Sequence, residues 1–185
     1  MRLPFEEVEE PEPPSAEHVE AVFRLLAPSY RLALLWLDWS GARLASVELT
    51  TVGDYDEPAR RVRLRRSTTK TRAALWVELP DGLAEAVEAT LPPREDRDPD
   101  APLFPGVGAD RLRTAIIRAC KAAGIPTFTP HDLRHRRISL LHRQGKTWAE
   151  IGRFVGQRNL SVTANTYTHV LSDGREAAYE ELLAA

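Results

Sequence analysis

Between Arg61 and Pro80 the apolar residues recur with a period of two, whereas the longer apolar segments elsewhere follow helical spacing. In "RVRLRR" Val62 and Leu64 alternate with arginines, and in "LWVELP" Leu75, Val77 and Leu79 fall on one face. The pattern predicts a two-stranded hairpin whose connection, "STTKTRAA", carries Lys70. One small antiparallel hairpin among many helices is an α+β architecture, mostly helical.

Local signals place those helices. Ser15 is positioned as an N-cap, Val19, Val22, Phe23 and Leu26 recur at helical spacing, and Pro28 closes the element. "YRLALLWLDW" forms a second apolar helix that Ser40 and Gly41 interrupt, and "ARLASVELTTV" resumes a helical pattern with Arg43 near its start. "DGLAEAVEATL" predicts a short helix, and "PPREDRDPDAPLFPGVG" a long polar loop. Asp110 caps "RLRTAIIRACKAA" and Gly124 stops it; Thr129-Pro130 opens the next helix and Gly145 ends it. Thr147 and Glu150 make a capping box, Ser161 caps the segment containing Tyr167, and "DGREAAYEELLAA" gives a C-terminal helix. Residues 1–14, acidic and proline-rich, are expected to be a linker or tail, and residues 15–185 one domain.

Composition excludes several classes. No apolar run approaches the ~18 residues of a membrane span, and the single cysteine, Cys120, supports no disulfide framework. With no recognisable secretory signal, the expected setting is cytoplasmic and reduced. The net charge of −2 is uneven: the first twenty residues carry seven acids against one base. Arg60, Arg61, Arg63, Arg65, Arg66, Lys70 and Arg72 follow one another without an acid, which suits either a polyanion or a solvated strand face.

The densest cationic chemistry is "TPHDLRHRR", Thr129 to Arg137. If Pro130 is the first helical residue, His131, Arg134 and His135 stand at i, i+3 and i+4 on one face. A helix N-terminus already bears about half a positive charge, so each added cation costs roughly 0.3–1 kcal/mol unless an anion compensates. Asp132 offsets part of this, and a bound phosphate would offset more. A zinc site from His131 and His135 has neither the intervening glutamate of H-E-x-x-H nor a clear third ligand. A solvated basic helix is the remaining alternative.

The wider stretch "TPHDLRHRRISLLHRQGKTWAEIGRFVGQRNLSVTANTYTHV" resembles the C-terminal signature of the tyrosine recombinase (phage integrase) family: H-x-L-R-H, a helix ending in glycine, a Gly-His step, then T-x-x-x-Y-x-H. Upstream, "SGARLASVELTTVGDYD" resembles the family's T-G-x-R segment, and "TKTRAALWVELP" its lysine-bearing hairpin. The resemblance implies a tyrosine-recombinase-like catalytic domain that cuts and rejoins double-stranded DNA through a 3′-phosphotyrosyl intermediate. It implies no metal or other cofactor and a homotetramer on paired DNA sites. Tyr167 matches the nucleophile, Arg43 and Arg134 the phosphate-clamping arginines, and His131 and Lys70 the proton-transfer groups. His135 is expected to support the site from one turn away, and His169, two after the tyrosine, to be either a supporting or a packing residue.

Two departures stand out. Gly156-Gln157 occupies the Gly-His step, and a glutamine amide donates a hydrogen bond but transfers no proton. Arg136 and Arg137 replace the small and aromatic residues common after the motif, adding either phosphate contacts or surface charge. The family's N-terminal core-binding domain is expected to be absent, and salt-sensitive DNA binding follows. Leu182 and Leu183 make the last helix a candidate for docking on a neighbour or packing in cis. Two rival readings are a type IB topoisomerase, disfavoured by the short chain and the Y-x-H ending, and a non-catalytic DNA-binding module that keeps the clamp without turnover.

Overall fold

The computed structural model describes residues 12–65, 75–157 and 174–184. Its elements are α1 (Ala16–Leu25), α2 (Pro28–Ser40), α3 (Ser46–Leu49), β1 (Tyr55–Asp56), β2 (Arg61–Leu64), β3 (Leu75–Glu78), α4 (Asp81–Glu88), α5 (Ala109–Ala123), α6 (Pro130–Arg143), α7 (Trp148–Val155) and α8 (Tyr179–Ala184). The fold is α+β and mostly helical, with one small antiparallel sheet. Among the described residues no helix is long and apolar enough to cross a membrane.

Helix α2 is the hub. Ala33, Leu34, Leu35, Trp36 and Leu37 are all fully buried, so this helix is apolar nearly all round, as a helix enclosed by others must be. It packs on α6, α4 and α1, while α5 packs on α1. Trp36 meets Phe104 at 5.1 Å between ring centroids, which brings part of the long polar loop into the core. A smaller apolar cluster of Ile138, Leu141, Ile151 and Val155 joins α6 to α7.

The predicted hairpin pairs Val62 with Val77 and Leu64 with Leu75, and β1 adds a third strand through Tyr55↔Val62. Two residues are too few to show a period, which is why β1 escaped the sequence reading. The described arginines of this region, Arg60, Arg61, Arg63 and Arg65, are each paired with an acid. Arg61 pairs with Asp56 at 2.7 Å, Arg63 and Arg65 with Asp54 at 2.7 and 2.6 Å, and Arg60 with Asp81 at 2.7 Å. Folding supplies acids that the local sequence lacks.

Other boundaries shift. Pro28 begins α2 as its first residue and does not close α1, whose Ser15 cap accepts from the His18 N–H. The pattern after Gly41 yields only the four residues of α3, with Arg43 in the preceding turn. Gly108 and not Asp110 is the N-cap of α5, and α8 starts at Tyr179, after an irregular stretch from Gly174. Helix α8 packs in cis against α4, burying Leu182 in the main core. Ser161 lies outside the described residues.

Candidate active site

The site is assembled from the ends of helices. At the start of α6, Thr129 is the N-cap: its backbone N–H and hydroxyl both donate to Asp132 Oδ2 at 2.7 Å, and Pro130 occupies the first turn. This capping box fixes the entry of the chain and engages Asp132 locally. His131 is exposed one residue on, its ring edge-on to His135 with centroids 4.4 Å apart.

Arg134, one turn further along, is only 5% exposed. Its Nη1 donates to the carbonyls of Gly41 at 2.6 Å and Val155 at 2.9 Å, and its Nη2 donates to Gln157 Oε1 at 3.1 Å. Those carbonyls lie at the C-terminal ends of α2 and α7, where helix carbonyls lack intrahelical donors and carry the negative end of the macrodipole. One guanidinium satisfies both. Both helices end on a left-handed glycine: Gly41 has φ +59 and Gly156 φ +71. At Gly41 a Cβ would lie 3.1 Å from Val155 Cγ1 and 3.2 Å from Arg137 Cγ, so only glycine fits the close approach that aims its carbonyl at Arg134.

Arg43 is exposed in the turn after Gly41, with its carbonyl accepting from Ser46 N–H at 2.8 Å. Gln157 follows Gly156, with its N–H closing on the Gly152 carbonyl at 2.7 Å. These residues converge on a cleft of about 440 Å³ lined by Arg43, Arg113, His131, Arg134 and Gln157, with Ala42, Leu44, Thr129 and Pro130 as its walls. Among the described residues no carboxylate lines it. Three arginines and a helix N-terminus therefore border one space that no carboxylate of the described residues lines, an environment suited to a phosphate-sized anion.

Four of the expected site residues, Arg43, His131, Arg134 and Gln157, are thus brought together. Lys70, Tyr167 and His169 lie outside the described residues. Arg113 of α5 was missed, because an arginine on the polar side of an amphipathic helix gives no signal of what it will face. Arg136 and Arg137 belong neither to the cleft nor to the surface. Both are fully buried: Arg136 pairs with Asp38 at 3.1 Å, and Arg137 pairs with Glu176 at 2.7 Å.

The sequence matches the model of the phage integrase family over residues 16–173. Among relatives, it is 27% identical over 163 residues to the tyrosine recombinase XerC of Bifidobacterium longum, covering 80% of this chain and 45% of that protein. It is 30% identical over 76 residues to a XerC-like tyrosine recombinase of Caldanaerobacter subterraneus, covering 41% of this chain and 19% of that one. The chain thus spans less than half the length of either relative. In three dimensions it resembles XerA recombinase, with a TM-score of 0.72 at 19% identity over 94% of this chain and 64% of that one. It also resembles the Tn1549 transposon integrase in complex with transposon right-end DNA, with a TM-score of 0.73 at 18% identity over 90% of this chain and 64% of that one. The ordered motifs, the helical fold with its small sheet and the matched span lead to one assignment: this chain belongs to the phage integrase family.

Proposed function

We propose that this chain is the catalytic domain of a site-specific DNA recombinase, cleaving and rejoining strands of double-stranded DNA through Tyr167. The observation that carries the reading is the convergence of Arg43, Arg134, His131 and Gln157, from three separate stretches of sequence, on one cleft that no carboxylate of the described residues lines. A phosphodiester resists attack because its oxygens are already negative and become more so in the transition state. Arg43 and Arg134 stabilise that charge on the non-bridging oxygens. Gln157, whose Oε1 accepts from Arg134, has its amide NH2 to offer the same phosphate.

An unperturbed tyrosine hydroxyl is only about one part in a thousand ionised at pH 7. In the proposed reaction His131 takes the Tyr167 proton as the phenolic oxygen attacks phosphorus. The bond to the 5′ oxygen breaks, and Lys70 protonates that oxygen. The 3′-phosphotyrosyl link conserves the bond energy, so a second 5′-hydroxyl reverses the step on another strand without metal or nucleotide. A homotetramer on paired sites fits such an exchange. The names of the relatives and the DNA held by the Tn1549 integrase support a nucleic-acid substrate.

A non-catalytic DNA-binding module is favoured by one observation: Gln157, a side chain hydrogen-bonded to Arg134, is an amide that cannot transfer a proton. Incubation with 5′-labelled nicked duplex, followed by denaturing electrophoresis, separates the two readings. A covalent band lost in Tyr167→Phe supports the recombinase, and DNA binding without such a band supports the module.

A further inference from the structure

Resting on the recombinase reading, we infer that Arg136 and Arg137 are positioning residues: a buried latch that fixes the chain beyond Tyr167 to the same helix that carries Arg134. Arg137 donates to both Glu176 carboxylate oxygens at 2.7 and 2.8 Å and to the Tyr179 hydroxyl at 3.1 Å. Its Nε donates to the Asp38 carbonyl at 2.9 Å, and its guanidinium lies 4.6 Å from the centroid of the Trp39 ring. Arg136 donates to the Asp38 carboxylate and to the Arg175 carbonyl, and the Tyr179 hydroxyl donates to Asp38 Oδ2. Burial and the Asp38 charge both push the Tyr179 phenol well above its ordinary range, keeping it a neutral donor.

The placement of these contacts gives them a role beyond stability. Arg134 and Arg137 are three residues apart on α6 and so lie on one face, with about 5–6 Å between Cβ atoms. Arg134 holds Gln157, and Arg137 holds Glu176. Residues 158–173, which include Tyr167, run between these two attachments. The described residues on either side of this stretch, Gln157 and Glu176, are both tied to the helix that carries Arg134. The stem of Arg137 also lies within 3.2 Å of where a Cβ on Gly41 would stand, and the Gly41 carbonyl accepts from Arg134, so the latch and the cleft arginine meet at one glycine. A bidentate ion pair whose guanidinium is buried is geometrically demanding, and it restricts register where an apolar contact would slide.

Arg137 is too deeply buried for its removal to be informative alone, because truncation would strand Glu176 and Tyr179. Glu176 sits at the outer edge of the latch, with a side chain 32% exposed, and Glu176→Gln preserves its shape. Three measurements on the full chain test the proposal: amide hydrogen exchange, affinity for intact duplex, and the single-turnover rate of covalent complex formation on saturating nicked duplex. Glu176→Gln is expected to speed exchange in residues 174–184 and in the turn at 41–45, leave affinity within about twofold, and slow cleavage at least tenfold. Glu176→Asp should recover part of both the protection and the rate. Exchange confined to residues 174–184 with an unchanged cleavage rate would overturn the latch, as would a parallel loss of affinity and rate. If wild-type protein forms no covalent complex, the recombinase reading fails, and the exchange at residues 41–45 still decides whether latch and cleft are coupled.

Discussion

Gln157 and Arg134 meet through a single 3.1 Å hydrogen bond, the amide oxygen accepting from a guanidinium that also secures the ends of α2 and α7. The amide is therefore oriented by the same group that is proposed to hold the phosphate. Replacing Gln157 by Ala removes one donor from that phosphate. A hydrogen bond to a charged group is worth about 1.5–3 kcal/mol, so cleavage should slow by roughly 10- to 150-fold. Gln157→His should raise the rate above wild type. Single-turnover cleavage of nicked duplex reads both, and a Gln157→His enzyme no faster than wild type would contradict the assigned role.

Arg43 and Arg134 should separate in a way their matching roles do not foretell. Arg43 is exposed, so Arg43→Ala should change stability by no more than about 0.5 kcal/mol while reducing cleavage about 10²- to 10³-fold. Arg134→Ala strands two helix-end carbonyls and should cost on the order of 3 kcal/mol of stability as well as activity. Urea denaturation alongside cleavage assays would distinguish them.

Binding to DNA should depend steeply on salt, and Arg113 should contribute to that dependence although no catalytic step needs it. Neutralising one phosphate contact changes the slope of log affinity against log salt by about 0.9. Arg113→Ala should flatten the slope by about that amount and weaken binding to all duplex sequences alike, measured by fluorescence anisotropy across a salt series. A sequence-selective loss would argue for base contact instead.

Asp54 gives a pH signature unrelated to the cleft. Burial raises its pKa, but hydrogen bonds from the Thr51 backbone, Arg65 and Arg63 outweigh burial and hold the carboxyl below its ordinary value of 3.8. A group depressed in the folded state contributes stability above its unfolded pKa and loses it as pH falls through the folded one. Wild type should therefore exceed Asp54→Asn in stability at neutral pH, with the gap closing below about pH 4. Urea titrations at several pH values check the sign.

What was legible in the sequence was local. Ser15, Thr129-Pro130, Thr147 with Glu150, and Gly124 mark helix ends because a cap acts within three or four residues, and all four stand where their spacing placed them. The hairpin was legible because period two persists over both strands. Arg136 and Arg137 were not, because Arg136 meets Asp38 across 98 positions and Arg137 meets Glu176 across 39. Nothing within a turn of either arginine announces a buried partner, and a charged pair in the interior runs against the usual exposure of arginine. The pairing of Arg63 and Arg65 with Asp54 escaped for a related reason: the acid lies outside the basic run, across a strand turn.

The double duty of Arg134 constrains how this protein can change over generations. Its charge is built into the scaffold, so a lineage losing selection for the proposed strand exchange would be expected to shed Arg43 first, at little mechanical cost. Arg134 would persist in such degenerate copies as a fossil of that proposed chemistry, retained because two helices still end on it.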